Sequence, residues 1–398
     1  MDNVTHALVG VALADLAMGS RVPRAQRPLF VGAGIIAANL PDIDLAYAAI
    51  TPSPLGYLLH HRGHTHTVLG IGVLAIALGA AYWFFPSVRK LRVSGQARFW
   101  MLIAIALASH LLLDGLNSYG LHPFSPFDNT WRFGDAVFIF EPWLWVILGI
   151  AVAWNGRSRA AMLTAALPML VLLAAVAWLG IMPLEAVAAL AVVGAMFAWV
   201  AIRVSPHTRS AAALVICALV VAGLIGTSRI ARGATVAALA PELRGRLVDV
   251  VLTPNPSSVV CWSAIAVELR ERGGEYVLWR GTLSLAPRLK PPSTCPSEQF
   301  SGARGAARGV RVIGDGRFVL RDEIHQPLGR LRALAAGNCW VHAWLRFGRA
   351  PVISDGAIFD LRFAERVGRN FTQMSLAARR GCPANVPPWA MPRADLLR

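Results

Sequence analysis

The sequence predicts an all-α polytopic membrane domain of about six to eight helices, followed by a small, β-rich α+β extracytoplasmic domain. Three observations predict it. Long apolar blocks fill the chain before about residue 230. Arg-rich and Arg-poor connections alternate between those blocks. After about residue 235 the chain takes on the Pro, Gly and charge density of a soluble domain. The expected division is 1–230, a helical transmembrane domain with its chemistry in the first 145 residues, and 235–398, a soluble extracytoplasmic domain.

Composition sets the frame. The 398 residues are 56% hydrophobic and 15% charged, with a mean hydropathy of +0.52. Soluble chains carry about 25% charged residues. The net charge of +16 comes almost entirely from Arg. Such a surplus fits nucleic-acid binding or basic loops beside anionic lipid. The membrane reading is preferred because many arginines flank apolar blocks, and no nucleic-acid motif accompanies the charge. No cleavable signal peptide is evident, because the first apolar run begins at residue 4 without a basic region before it.

The apolar runs are 4–18, 29–48, 67–86, 99–116, 137–154, 160–180, 185–203 and 210–228. The last six reach or approach the roughly 17–25 residues of a span. The first is short, and the second ends in Asn39, Pro41, Asp42 and Asp44. Arg21, Arg24 and Arg27 follow run one; Arg89, Lys90, Arg92 and Arg98 follow run three. Arg157 and Arg159 precede run six, and Arg203 and Arg209 precede run eight. Positive charge marks the cytoplasmic side. The N-terminus, the 49–66 and 117–136 loops and everything after 228 are then expected outside.

In the C-terminal region Val259–Glu268 and Tyr276–Leu285 read as strands joined at Gly273–Gly274. Phe318–Ala336 reads as helical, broken at Pro327. Cys261, Cys295, Cys339 and Cys382 all lie there, and an even number in an oxidising space points to two disulfides of unspecified pairing. Cys217 lies in an apolar run.

Ionisable residues cluster in the first 141 positions, where burial in a membrane is costly and points to function. They are His6, Asp42, Asp44, the loop residues His60, His61, His64 and His66, then His110, Asp114, Asp135 and Glu141. His110 and Asp114 stand at i, i+4, on one helix face. The charge bias used none of these residues, yet it puts all of them at the outer face, so one shared site is expected. Imidazole with carboxylate suits Zn²⁺, and also Mn²⁺ or Fe. The surplus of candidate ligands favours two or three ions, which can act on both oxygens of a phosphoester. Arg62 can pair with a substrate anion. Taken singly, each residue also has a purely structural reading: a helix cap, a solvated loop, or a His–Asp hydrogen bond between helices.

Four ordered motifs carry a resemblance: Asn3-Val-Thr-His-Ala-Leu-Val-Gly10, Asn39-Leu-Pro-Asp-Ile-Asp44, His61-Arg-Gly-His-Thr-His66 and His110-Leu-Leu-Leu-Asp-Gly-Leu-Asn-Ser-Tyr-Gly120. Over residues 1–145 the chain resembles the YdjM-like family of inner-membrane, metal-dependent hydrolases. The resemblance implies metal ligands at His6, Asp42 or Asp44, His61, His66, His110 and Asp114. An Asp is commoner in that family where Glu141 stands. The ligand order is also similar to that of the zinc phospholipase C and P1 nuclease superfamily, although no further His-x-x-x-Asp pair follows His110 and Asp114.

The function expected is hydrolysis of an ester or phosphoester of a membrane lipid or lipid-linked substrate. It would take place in the bacterial inner membrane. His6, Asp42, Asp44, His61, His66, His110 and Asp114 are expected to bind metal. Asp44 or Asp135 is the expected general base, and Arg62 the anion holder. The alternative is a transport or metal-handling protein using the same cluster as an ion site.

Overall fold

The computed structural model describes residues 1–19, 22–156, 184–296, 311–363, 370–377 and 381–398, together with 167, 170, 171, 173–175, 178 and 182. Its principal helices are α1 (Asn3–Met18), α2 (Arg27–Asn39), α3 (Leu55–His60), α4 (Val68–Trp83) and α5 (Val93–Asp114). They continue as α6 (Pro142–Trp154), α7 (Leu184–Ala201), α8 (Pro206–Leu239), α9 (Leu328–Gly337) and α10 (Cys339–Trp344). The chain forms two units that interleave along the sequence. One comprises Met1–Ile43, Thr65–Asn117 and Val137–Leu224; the other comprises Asp44–His64, Ser118–Ala136 and Ile225–Arg398. The sequence division at 230/235 treats the chain as two consecutive pieces, whereas two early loops fold with the C-terminal part.

The first unit is helical. Asp2 starts α1 by accepting the Thr5 N–H at 2.9 Å and the Thr5 hydroxyl at 2.6 Å. This is an N-cap of the usual kind. Pro28 opens α2, where its missing N–H costs nothing. A Cβ on Gly10 would lie 2.4 Å from the Gly34 carbonyl oxygen, so α1 and α2 pack backbone to backbone. Phe30, Tyr82, Val88, Phe99, Leu102 and Leu107 fill the core of this unit.

Among the described residues, three helical segments are long and apolar enough to cross a membrane: Arg24–Ile50, Val93–Asp114 and Pro206–Leu239. The bent pair Leu55–His66 and Val68–Trp83 makes up to four. The six to eight spans expected from sequence are not reached by this measure. The helix in run one has 16 residues and that in run five only 13. A straight crossing of about 30 Å takes about 20 residues. Run five is cut because its helix starts only at Pro142, behind the Glu141 cap. Run six falls largely outside the described residues.

The second unit is built on a five-stranded antiparallel sheet ordered β1 (Arg246–Pro254), β2 (Cys261–Arg270), β3 (Glu275–Ser284), β5 (Phe318–Pro327) and β4 (Arg311–Ile313). The β2–β3 hairpin closes where expected, at Arg270↔Glu275, with Gly274 at φ +62°. That left-handed backbone is cheap only for glycine. A smaller sheet holds β6 (Pro351–Ser354), β7 (Ala357–Asp360) and β8 (Met374–Ser375). Phe318–Ala336 is not a broken helix. It is strand β5, paired with β3 from Leu283↔Phe318 to Glu275↔Pro327, and α9 begins directly after Pro327. Cross-strand pairing overrides the local helical character.

One core of this unit joins Leu55, Leu58 and Leu59 of α3 to Tyr119, Trp131, Trp344, Phe347 and Trp389. The Trp389 indole N–H donates to the Leu59 carbonyl at 2.6 Å. Residues 44–64 and 118–136 therefore belong to the same unit as the C-terminal region. Disulfides join Cys261 to Cys295 and Cys339 to Cys382, with Cα atoms 5.7 and 5.6 Å apart.

Candidate metal centre

The helical unit gathers four of the expected ligands at one end. Asp114 is the last residue of α5, and His110 sits one turn before it on the same face. Asp42 comes from the 3-10 turn Leu40–Ile43 after α2, and His66 from the turn His64–His66 before α4. Donor atoms of Asp42, His66, His110 and Asp114 all lie within 4.8 Å of one another. His66, His110 and Asp114 are buried, and Asp42 is 12% exposed.

Five of the donor separations are close to those between ligand atoms around one ion. His66 Nε2 lies 3.0 Å from His110 Nε2 and 3.5 Å from both Asp42 Oδ1 and Asp114 Oδ2. His110 Nε2 lies 3.6 Å from Asp42 Oδ1 and 3.8 Å from Asp114 Oδ2. Four donors about 2.0–2.1 Å from a tetrahedral ion stand about 3.3 Å apart along each edge. The two carboxylates and two neutral imidazoles also balance the charge of a divalent cation. The donor set therefore fits a metal ion.

Neighbouring groups aim the ligands. The His110 Nδ1–H donates to the Ala38 carbonyl at 2.6 Å, because a carbonyl can only accept. Nε2 then carries the lone pair that faces the cluster. The Asn3 side-chain N–H₂ donates to Asp42 Oδ2 at 2.8 Å and to Asn39 Oδ1 at 3.2 Å. His66 Nδ1 lies 3.1 Å from the Thr65 hydroxyl. Asn3, Asn39 and Thr65 sit inside the sequence motifs quoted above, but sequence reasoning did not assign them this role.

His6 stands beside the tetrad. Its Nε2 is 3.2 Å from Asp114 Oδ1, the oxygen turned away from His66 and His110, and its ring stacks on His110 at 3.8 Å. The Met1 amino group also lies against Asp114 Oδ1. Glu141 is fully buried as the N-cap of α6, facing the Trp143 N–H.

The remaining expected residues belong to the second unit. His61 Nδ1 is 3.2 Å from Asp44 Oδ1, and the Arg62 N–H donates to Asp44 Oδ2 at 2.8 Å. Arg62 takes a left-handed backbone at φ +59°, with its guanidinium 4.9 Å from the Tyr119 ring centre. His60 bonds Thr51 at 2.8 Å. His64 packs on the Trp389 ring at 5.0 Å.

Asp135 is committed elsewhere. Arg349 donates to both of its oxygens at 2.8 Å, and Arg232 adds a bond at 2.9 Å. A carboxylate so saturated makes a poor general base, which corrects the expectation placed on it. His122, which the sequence reading passed over, is fully buried between Trp131 and Trp389, with ring centres 3.9 and 4.1 Å away. Burial pushes its pKa down to about 3, so it is a neutral core group.

Comparison with known proteins follows the same stretch of chain. Residues 1–186 match the family described as YdjM inner membrane protein. The inner membrane protein YbcI of Escherichia coli (strain K12) is 31% identical over 143 residues, covering 35% of this chain and 72% of YbcI. The uncharacterized protein YfhP of Bacillus subtilis (strain 168) is 26% identical over 166 residues, covering 40% of this chain and 48% of YfhP. The match thus spans about half the length of YfhP. No solved structure matches the chain. None of these similarities is to the zinc phospholipase C and P1 nuclease superfamily. Every tetrad residue falls inside the matched stretch, and YbcI is matched over most of its length. The chain belongs to the YdjM family of inner membrane proteins.

Proposed function

We propose that this protein is a membrane-bound, metal-dependent hydrolase acting on an ester or phosphoester of a lipid or lipid-linked substrate. The observation that carries the reading is the tetrad of Asp42, His66, His110 and Asp114, whose edges fit one tetrahedral ion. Zn²⁺ is the metal proposed, because the His₂Asp₂ set and these edges suit it. A bound divalent cation supplies Lewis acidity and a water acidified toward neutral pH.

The chain's own groups divide the remaining work. Ala38 and Asn3 hold His110 and Asp42 in their ligating orientations. Asp44, two residues beyond Asp42 and paired with His61, is the proposed proton acceptor. Arg62 is the proposed partner of the substrate anion. Transport is disfavoured within the helical unit: between His6 and Asp15, α1 carries only Ala-Leu-Val-Gly-Val-Ala-Leu-Ala, so this helix offers no ionisable stepping stone.

The test is metal analysis of protein purified without chelator. Assays on bis(p-nitrophenyl) phosphate and on phospholipid vesicles then follow, before and after stripping and restoring zinc. The expected result is about one or more zinc per chain and a hydrolytic rate lost on stripping and regained on restoration. Metal-loaded protein that cleaves neither substrate would remove the hydrolase reading and leave a metal-binding protein.

We also place the C-terminal unit outside the cytoplasm. The two disulfides support this, since such bonds persist in oxidising compartments and each stabilises by about 2–4 kcal/mol. Protein purified under non-reducing, denaturing conditions should show one alkylatable thiol, Cys217, and five after reduction. Five reactive thiols before reduction would argue for a reducing location.

A further inference from the structure

At the other end of α1 from the tetrad lies a second buried polar assembly that nothing so far explains. His6 and Asp15 are nine residues apart on this helix, a rise of about 13.5 Å. Asp15 is 7% exposed. Arg27 grips it with two bonds, Nε to Oδ1 at 2.7 Å and Nη2 to Oδ2 at 3.0 Å. The Asn155 side-chain N–H₂ donates to Asp15 Oδ2 at 2.8 Å and to the Ser210 hydroxyl at 3.0 Å. Arg209, 6% exposed, donates to Asn155 Oδ1 at 2.6 Å and to the Ala201 and Val204 carbonyls at 2.8 and 3.0 Å.

This network borders a cavity of about 660 Å³. Arg24, Arg27 and His207 line it, with Trp154 as an apolar wall. The side chains of Arg24 and His207 are exposed and form no hydrogen bond or ion pair with other described residues. Arg98, bonded to the Ala17 carbonyl at 2.9 Å, and His207 both border Gly19. Asp15 is the one carboxylate among the described lining residues, and Arg27 and Asn155 already occupy it. The N-terminus of α8, at Ser205, Pro206 and His207, also opens here and favours negative charge. The balance of the cavity is cationic.

The simplest account of these arginines is the positive-inside rule. That rule requires only charge near span ends. It does not require Arg27 to be locked to a buried Asp15, nor Arg209 to be sunk among Asn155 and two carbonyls. Those contacts cost side-chain freedom and fix the donors in place, as a binding site does. We propose that this cavity is an anion site for a phosphate-bearing group, with Arg24 and His207 as the contacts still open to a ligand and Arg27 held in place by Asp15. The shared chemistry is a phosphate monoester or diester, supplied either by an anionic phospholipid headgroup or by free phosphate. Trp154, 40% exposed, gives the wall against which a glycerol or acyl portion would rest. The proposal is independent of the metal chemistry at the other end.

The test uses the full chain in detergent with equimolar phosphatidylglycerol and phosphatidylcholine, read by native mass spectrometry, and calorimetric titration with inorganic phosphate. Wild type should retain phosphatidylglycerol over phosphatidylcholine by about tenfold, the worth of one charge-assisted contact. The double variant Arg24→Ala, His207→Ala should lose that preference while its thermal unfolding stays as in wild type. Arg27 is left intact, because removing it would strand the buried Asp15. Arg203→Ala is the charge control, since Arg203 stacks on Trp199 at 3.9 Å and is not in the cavity lining. If millimolar phosphate displaces the lipid, the site accepts soluble phosphate; if it does not, the headgroup is the source. A wild type with neither lipid preference nor phosphate binding overturns the proposal, and so does an Arg203→Ala loss equal to that of the double variant.

Discussion

His110→Ala is expected to purify as a folded membrane protein that has lost its metal and its hydrolytic activity. The substitution removes one vertex of the tetrad, whose Nε2 stands 3.0–3.8 Å from the three other donors. Asp114→Asn keeps the shape and removes the charge, and it should behave alike. Loss of a group that merely orients a ligand lowers metal affinity or activity about 10–100-fold, so loss of a ligand should exceed about a hundredfold. His6→Ala makes the experiment discriminating. His6 faces the Asp114 oxygen turned away from His66 and His110, so its removal should fall within the smaller range. Metal content by elemental mass spectrometry and turnover on the same substrate read both effects. Full metal content in His110→Ala and Asp114→Asn would reduce the tetrad to an interhelical hydrogen-bond cluster. A His6→Ala defect equal to theirs would make His6 a ligand.

Arg349→Met is expected to destabilise the C-terminal unit by about 3–5 kcal/mol at neutral pH. Arg349 is buried with Asp135 and Asp249 on either side, at 2.8 Å and 2.7 Å. It also lies 4.0 Å from the centre of the Phe133 ring. Methionine of similar length would leave two carboxylates without their main cation. The pH dependence separates this cause from lost packing. Burial alone would raise the Asp249 pKa, but Arg349, Arg393 and Arg232 together hold it at about 2. A carboxyl with a folded pKa below its unfolded value of about 3.9 stabilises above that pH. In wild type that contribution fades only as pH falls through about 2. In the variant the folded pKa rises, so the neutral form becomes available and the defect should shrink between pH 7 and pH 5. Thermal unfolding at both pH values checks it. A defect of constant size would assign the effect to packing.

The gathering of four polar residues was more legible in the sequence than the architecture. Asp42, His66, His110 and Asp114 could be named in advance, because ionisable side chains in apolar runs are costly and these four fell on one expected face. The same logic overreached at Asp135, whose partner Arg349 lies 214 residues away and leaves no local trace. Strands β2 and β3 and their Gly274 turn were readable from apolar runs around paired glycines. Strand β5 was not, because its charged residues, such as Asp322 paired with Arg280, belong to cross-strand contacts rather than to a period. The disulfide pairing was hidden because four cysteines permit three connectivities. The interleaving was hidden for a similar reason. Leu55, Leu58 and Leu59 look like one more apolar turn until the aromatic residues they meet, Trp344, Phe347 and Trp389, are known.

That interleaving bears on how the protein is made. Asp42 and His66 flank the stretch 44–64, and that stretch is ordered by a core that includes Trp389. At about 5–20 residues per second, Trp389 leaves the ribosome roughly a quarter of a minute to a minute after Asp114. During that interval the helices bearing His110 and Asp114 are already synthesised, while the chain between the other two ligands has no finished core to join. On the proposed metal reading, capture of the ion would then follow synthesis of the whole chain.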